Sequence, residues 1–179
     1  MKKKNLLYRH YFAASLLILL FFLSSCIKQE RKNQIIDQQK SIDTYLSKLT
    51  DKTIVTNNGS SRVVIEAGNE NKLIAEGDSV YYYFAAYVFN GGKGELFASN
   101  KASIVKEANF PPDTLVKASL LNSTDFIKGL RLGLVGAAEG ETCNIVFTSE
   151  LGYYTQTVYN IPKLSPLFFE IWIEKVIKN

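Results

Sequence analysis

The sequence predicts an α+β domain behind a hydrophobic leader, and three stretches carry that prediction. Ser79 to Phe89, SVYYYFAAYVF, is dense in the aromatic and β-branched residues that fill a pleated surface. Leu167 to Val176, LFFEIWIEKV, is a second long strand. Between them Asp125 to Tyr153, DFIKGLRLGLVGAAEGETCNIVFTSELGY, reads as a short helix with two glycines one turn apart, a tight turn, and a strand that ends at a tyrosine. A helix laid against a strand makes a corner of a core, and the flanking strands can pack on it.

Composition narrows the function. The chain has 179 residues, 46% of them hydrophobic, which gives room for one ordinary domain plus an extension. Its formal charge of +4 is an effect of the first nine residues, where Lys2, Lys3, Lys4 and Arg9 lie; without them 17 basic residues face 17 acidic ones. A body of zero net charge offers no phosphate-binding footprint, so no nucleic-acid partner is expected. His10 is the single histidine and also lies in the leader, which excludes His-dependent triads and His-ligated zinc from the body. No GxGxxG, P-loop, HExxH or CxxC motif occurs, and no metal or cofactor is expected.

Residues 1–25 have the layout of a secretory signal peptide: a basic start, an apolar run through Phe22, and small residues at the end. Leu23-Ser24-Ser25-Cys26 resembles the bacterial lipobox, which implies cleavage before Cys26 and lipidation of that cysteine. An uncleaved anchor is the alternative, but the apolar run falls short of the ~20 residues of a spanning helix, and Cys26 would have no role in one. Residues 26–72 then form a tether with a helix and a hairpin. Ile35, Ile36, Ile42, Leu46 and Leu49 make one apolar helical stripe, suited to packing on its own domain or to pairing with a partner. Thr53–Thr56 and Arg62–Ala67 flank Asn57-Asn58-Gly59, a hairpin signal.

In Ser79–Phe89, period two places Tyr82, Phe84 and Ala86 on one face and Tyr81, Tyr83 and Ala85 on the other. Glu95 to Ser99 is a shorter strand centred on Phe97. Residues 100–124 are hard to read: Phe110-Pro111-Pro112 breaks regular structure, and Thr114–Leu121 fits a strand or a flap. Thr124 or Asp125 can cap the helix, whose buried stripe is Ile127, Leu130 and Leu134. Gly129 and Gly133 each cost about 1 kcal/mol of helix propensity against Ala, which points to a neighbouring backbone packed close. Glu139-Gly140-Glu141 reads as a solvated turn, and Cys143 as a small buried apolar residue on a strand face with Ile145 and Phe147. In the last strand Leu167, Phe169, Ile171 and Ile173 share one face. The other holds Phe168, Glu170, Trp172 and Glu174, with Trp172 expected beneath the 35–49 helix.

In this order the signals resemble the FKBP-type peptidyl-prolyl isomerases. The resemblance spans about residues 73–176, which implies a domain over 73–179, and rests on Gly77-Asp78-Ser79-Val80, Gly94-Glu95-Leu96-Phe97, Phe126-Ile127-Lys128-Gly129 with Gly133-Leu134, Glu139-Gly140-Glu141, Ser149-Glu150-Leu151-Gly152-Tyr153, Ile161-Pro162 and the closing strand. It implies an antiparallel sheet wrapped around one short helix, with an apolar pocket between them. The site residues it implies are Phe97, Tyr153 and Ile127 for catalysis, and Phe84, Phe126, Leu130, Ile161 and Phe169 around the substrate. Proline-containing polypeptide would be the partner, with the membrane engaged through a lipid anchor at Cys26 in a bacterial envelope, on its periplasmic or surface side. The sequence departs from the family pattern at Ala98, where an aspartate is usual, at Phe84, commonly tyrosine, at Leu130, often tryptophan, and at Tyr154, where glycine is expected. These departures leave open a second reading, a peptide-binding chaperone of the same fold with weak or absent catalysis.

Overall fold

The computed structural model describes residues 28–109, 115, 117–158 and 160–179. Cys26, the leader, Phe110-Pro111-Pro112, Thr114 and Tyr159 lie outside them. The chain divides into two compact units, 1–36 and 37–179. The described residues of the first, 28–36, are helical, and helix α1 runs over residues 28–46. Among the described residues no helix is long and apolar enough to cross a membrane.

The second unit is built on an antiparallel sheet. Its strands β1 (Thr53–Asn57), β2 (Ser60–Glu66), β8 (Thr142–Phe147), β9 (Leu167–Ile177), β4 (Ser79–Phe89) and β5 (Lys93–Ser99) lie side by side in that order. β6 (Lys117–Leu120) pairs with the first half of β4, while β3 (Asn69–Leu73) and β7 (Ala138–Glu139) form a small separate ladder. The β1–β2 hairpin turns through Asn58 and Gly59, both at positive φ, as the Asn-Gly signal requires. Since β2 pairs along β8, this hairpin is part of the main sheet.

Helix α3 (Lys128–Leu134) lies on the concave face over the core. Ile127 is its N-cap, with no side-chain cap bond, so neither Thr124 nor Asp125 plays that part. The close neighbours of its glycines are side chains rather than backbone: a Cβ on Gly129 would enter the Phe147 ring, and one on Gly133 would meet Ile145. The buried Ser60 hydroxyl donates to the Gly129 carbonyl at 2.7 Å, fixing the helix to β2.

The opposite face of the sheet carries a second core. Ala85, Tyr87, Phe89, Val146 and Phe168 pack there with Ile42 of α1, and Tyr45, Leu46 and Trp172 join at the edge. The Tyr45 ring meets Phe89 and Phe168 edge-on at 5.6 and 6.0 Å. The working face of α1 is thus Ile42, Tyr45 and Leu46; Ile36 is 55% exposed, and Leu49 falls beyond the helix. Helix α2 (Ala102–Glu107) had no clear sequence signal; Val105 is its buried residue.

Glu141 overturns the solvated-turn expectation. It is 4% exposed and accepts a 2.5 Å bond from the equally buried Arg62 of β2, while its second oxygen takes the Ala138 N–H at 3.1 Å. A buried carboxylate persists when paired and hydrogen-bonded, and this one closes the β7–β8 turn. Cys143 is fully buried beside this pair, and burial pushes its thiol pKa up, as suits an inert core residue.

Candidate functional site

A cavity of about 210 Å³ opens between α3 and the concave face of the sheet. Its origin is a row of side chains across three strands. Ala98, Ala86 and Phe169 are register partners on β5, β4 and β9, and two alanines in that row leave a hollow. Phe84 and Tyr82 continue the wall along β4, with Phe97 from β5. Leu130 projects from α3, Ile127 stands at its start, and Tyr153 closes the far side from the loop after β8.

The aromatic walls brace one another. Phe97 meets Phe169 edge-on at 6.2 Å, and Phe169 stacks on Phe147 at 5.8 Å, the ring that Gly129 covers. Helix, buried ring and pocket wall therefore form one packed column.

Six residues named from the resemblance line the cavity: Phe97, Tyr153, Ile127, Phe84, Leu130 and Phe169. Two do not. Phe126 is buried and stacks at 5.4 Å on Tyr82, which does line the cavity, and Ile161 is buried in the same core. Cys26 lies outside the described residues. The structure adds Tyr82, Ala86, Ala98, Lys117 and Asp125 to the lining. Period two already put Tyr82 and Ala86 on the face of Phe84. Lys117 had no signal, because it lies in the stretch whose secondary structure the sequence left open, and Asp125 was read only as a candidate helix cap.

Asn100 holds the backbone of the Phe84 wall. On one side β4 passes from β5, last paired at Ala85, to β6, first paired at Tyr82, so residues 83 and 84 have a strand neighbour, β9, on the other side alone. The buried Asn100 side chain fills that gap. Its Oδ1 accepts from the Phe84 N–H at 2.6 Å, and its Nδ2 donates to the carbonyls of Tyr82 and Leu115 at 3.3 and 2.9 Å. Backbone polar groups left buried and unpaired are costly, and one amide side chain satisfies several here.

The site is mostly apolar. Burial raises the Tyr82 phenol well above the ordinary value of 10; Ser119 beside it opposes the shift and the Asp125 carboxylate adds to it. Tyr82 thus stays neutral at physiological pH. Asp125 and Lys117, both exposed, are the charged lining residues. Among the described residues no cluster of His, Cys, Asp or Glu could hold a metal ion. The arrangement can enclose an apolar segment of polypeptide and strip water from it.

A sheet folded on one short helix, with an aromatic pocket between, defines an FKBP-like domain. Residues 70–174 match the model of the FKBP-type peptidyl-prolyl cis-trans isomerase family, and the chain belongs to that family. Among solved structures it is similar to the three FKBP domains of wheat FKBP73, with a TM-score of 0.60 at 15% identity; the alignment covers 72% of this chain and 52% of that one, about half its length. It is similar also to FkpA from Escherichia coli, with a TM-score of 0.58 at 19% identity over 92% of this chain and 71% of that one. A comparison with curated protein sequences found no match.

Proposed function

We propose that this protein is a peptidyl-prolyl cis-trans isomerase and folding helper held in the bacterial envelope by a lipid on Cys26. The observation that carries the activity is the pocket itself, an aromatic hollow of Phe84, Phe97, Tyr153 and Phe169 floored by Leu130. Rotation about a peptide bond faces a barrier of ~18–20 kcal/mol because resonance places charge on the amide oxygen. Twisting the bond removes that charge separation, so a dry apolar site favours the twisted form over the planar one. Neither a nucleophile nor a metal enters this chemistry. X-Pro bonds are the fitting substrate, since only there do cis and trans differ by about 1 kcal/mol or less. The leader and its Leu23-Ser24-Ser25-Cys26 ending support the anchor. Buried acyl carbon contributes about 0.8 kcal/mol per methylene, so more than one chain holds a protein firmly.

A second reading rests on Ala98 and Phe84. Both line the pocket, one with a methyl where the family usually has an aspartate, the other without a hydroxyl. A site so lacking in polar guidance suits holding a proline segment without turning it over. NMR exchange on short X-Pro peptides separates the two. Exchange accelerated by the protein, and lost with Phe97→Ala, supports the isomerase; exchange at the buffer rate together with Tyr153-dependent binding supports the holding module. Labelling with radioactive palmitate in a bacterial host tests the anchor, and label retained by Cys26→Ser overturns it.

A further inference from the structure

We infer that Gln38 of helix α1, outside the family-matched residues 70–174, is a positioning residue for the pocket lip Tyr153; this rests on the pocket reading above. The Gln38 side chain spans the two ends of the loop that carries Tyr153. Its Oε1 accepts from the Ser149 N–H at 2.9 Å, and its Nε2 donates to the Leu164 carbonyl at 2.7 Å. Those two residues hold the lip from either side. The Ser149 carbonyl accepts from the N–H groups of Gly152 and Tyr154, at 3.0 and 2.9 Å, and the Leu164 N–H donates to the Tyr154 carbonyl at 2.7 Å. Tyr153 sits between the bonded residues.

The loop needs such a bracket because its backbone is strained. Tyr154 and Leu164 both adopt left-handed conformations, with φ of 50° and 59°, although neither is glycine. Bulky residues persist there only when their surroundings over-determine the backbone. Here the bond between these two residues, together with the Gln38 amide on Ser149 and Leu164, supplies that constraint. Helix α1 is itself anchored one turn further on, by Ile42 in the second core, so Gln38 projects from a fixed base.

The test uses the full chain with Gln38→Ala, Gln38→Glu and Tyr154→Gly, and Ile42→Val as a control on packing of the same helix. Amide exchange followed by NMR is the first readout. In Gln38→Ala the Gly152 and Tyr154 amides should exchange roughly tenfold faster than in the native chain, within the range one or two lost hydrogen bonds produce. Gln38→Glu keeps the acceptor for Ser149 but loses the donor to Leu164, and should fall between. The second readout is KM against kcat on an X-Pro peptide. KM should rise roughly three- to tenfold in Gln38→Ala with kcat little changed. Adding Tyr154→Gly should restore it, because glycine takes positive φ without strain. Unaltered exchange at Gly152 and Tyr154, an unaltered KM, or an equal rise in KM from Ile42→Val overturns the inference. Should the native chain neither bind nor turn over the peptide, the pocket reading has failed, and the exchange measurement alone decides whether Gln38 holds the lip.

Discussion

Arg62 donates to Glu141 at 2.5 Å, with both side chains 5% exposed, across 79 positions of sequence. The pair joins the N-terminal hairpin to the turn that launches β8. Removing one member strands a buried charge, which costs about 3–5 kcal/mol, whereas replacing both with apolar residues is often neutral. Glu141→Leu should therefore lower the urea midpoint sharply. Arg62→Met with Glu141→Leu should recover most of the loss, and a double variant no better than the single one would count against the pair.

Gly129→Ala ought to stabilise an isolated helix by about 1 kcal/mol. In this fold the new methyl would collide with the Phe147 ring, and overpacking of this kind typically costs about 1–3 kcal/mol. The expected result is a lower melting temperature, with partial recovery when Phe147→Leu is added. A melting temperature above native would show that the ring yields freely.

Asp78 ties the start of β4 to the chain end. It is 3% exposed, accepts from the Ala75 N–H at 2.7 Å and pairs with Lys178 at 2.6 Å. Burial raises its pKa, but the bonds from Lys178, Ala75 and Asn179 and the Lys178 charge outweigh that and hold it below the ordinary aspartate value. A carboxylate with a lowered folded pKa binds fewer protons folded than unfolded. Its contribution is therefore complete above the unfolded value near 3.8 and is lost as pH falls through the folded value beneath it. Asp78→Asn should lower stability at neutral pH and flatten the acid limb of the urea midpoint; an acid limb parallel to native would contradict the assignment.

Lys117 and Asp125 set opposite charges on an otherwise apolar pocket. Exposed charges of this kind are worth about 0.2–1 kcal/mol, so their imprint on substrate choice is small but readable. Lys117→Glu should shift kcat/KM about two- to fivefold toward peptides with lysine beside the X-Pro bond, and Asp125→Lys toward those with glutamate. Salt at 0.5 M should blunt both shifts. Identical peptide preferences in native and variant chains would place these charges away from the substrate.

The regular strands were legible because each has one face in a core: the alternation of Tyr82, Phe84 and Ala86, and of Leu167, Phe169 and Ile171, marks the concave face. Phe168 and Trp172 hinted at the second core, since a strand with aromatic residues on both sides is covered on both. Its lid was only half legible, for Tyr45 does the packing that the stripe assigned to Ile36 and Leu49. Glu141 was unreadable, because a carboxylate beside a turn glycine looks solvated until its arginine, far away in sequence, is placed. Asn100 and Gln38 escaped notice for the same reason. Polar residues that satisfy distant backbone leave no period in the sequence.

Phe168 and Phe169 are consecutive residues of β9, yet one faces α1 and the other the pocket. The strand between them is paired on both sides, with β8 and β4, and covered above and below. Its central amides should be the last in the chain to trade protons for deuterons. A peptide entering the hollow would thus meet a wall that does not breathe, and any yielding must come from the rim.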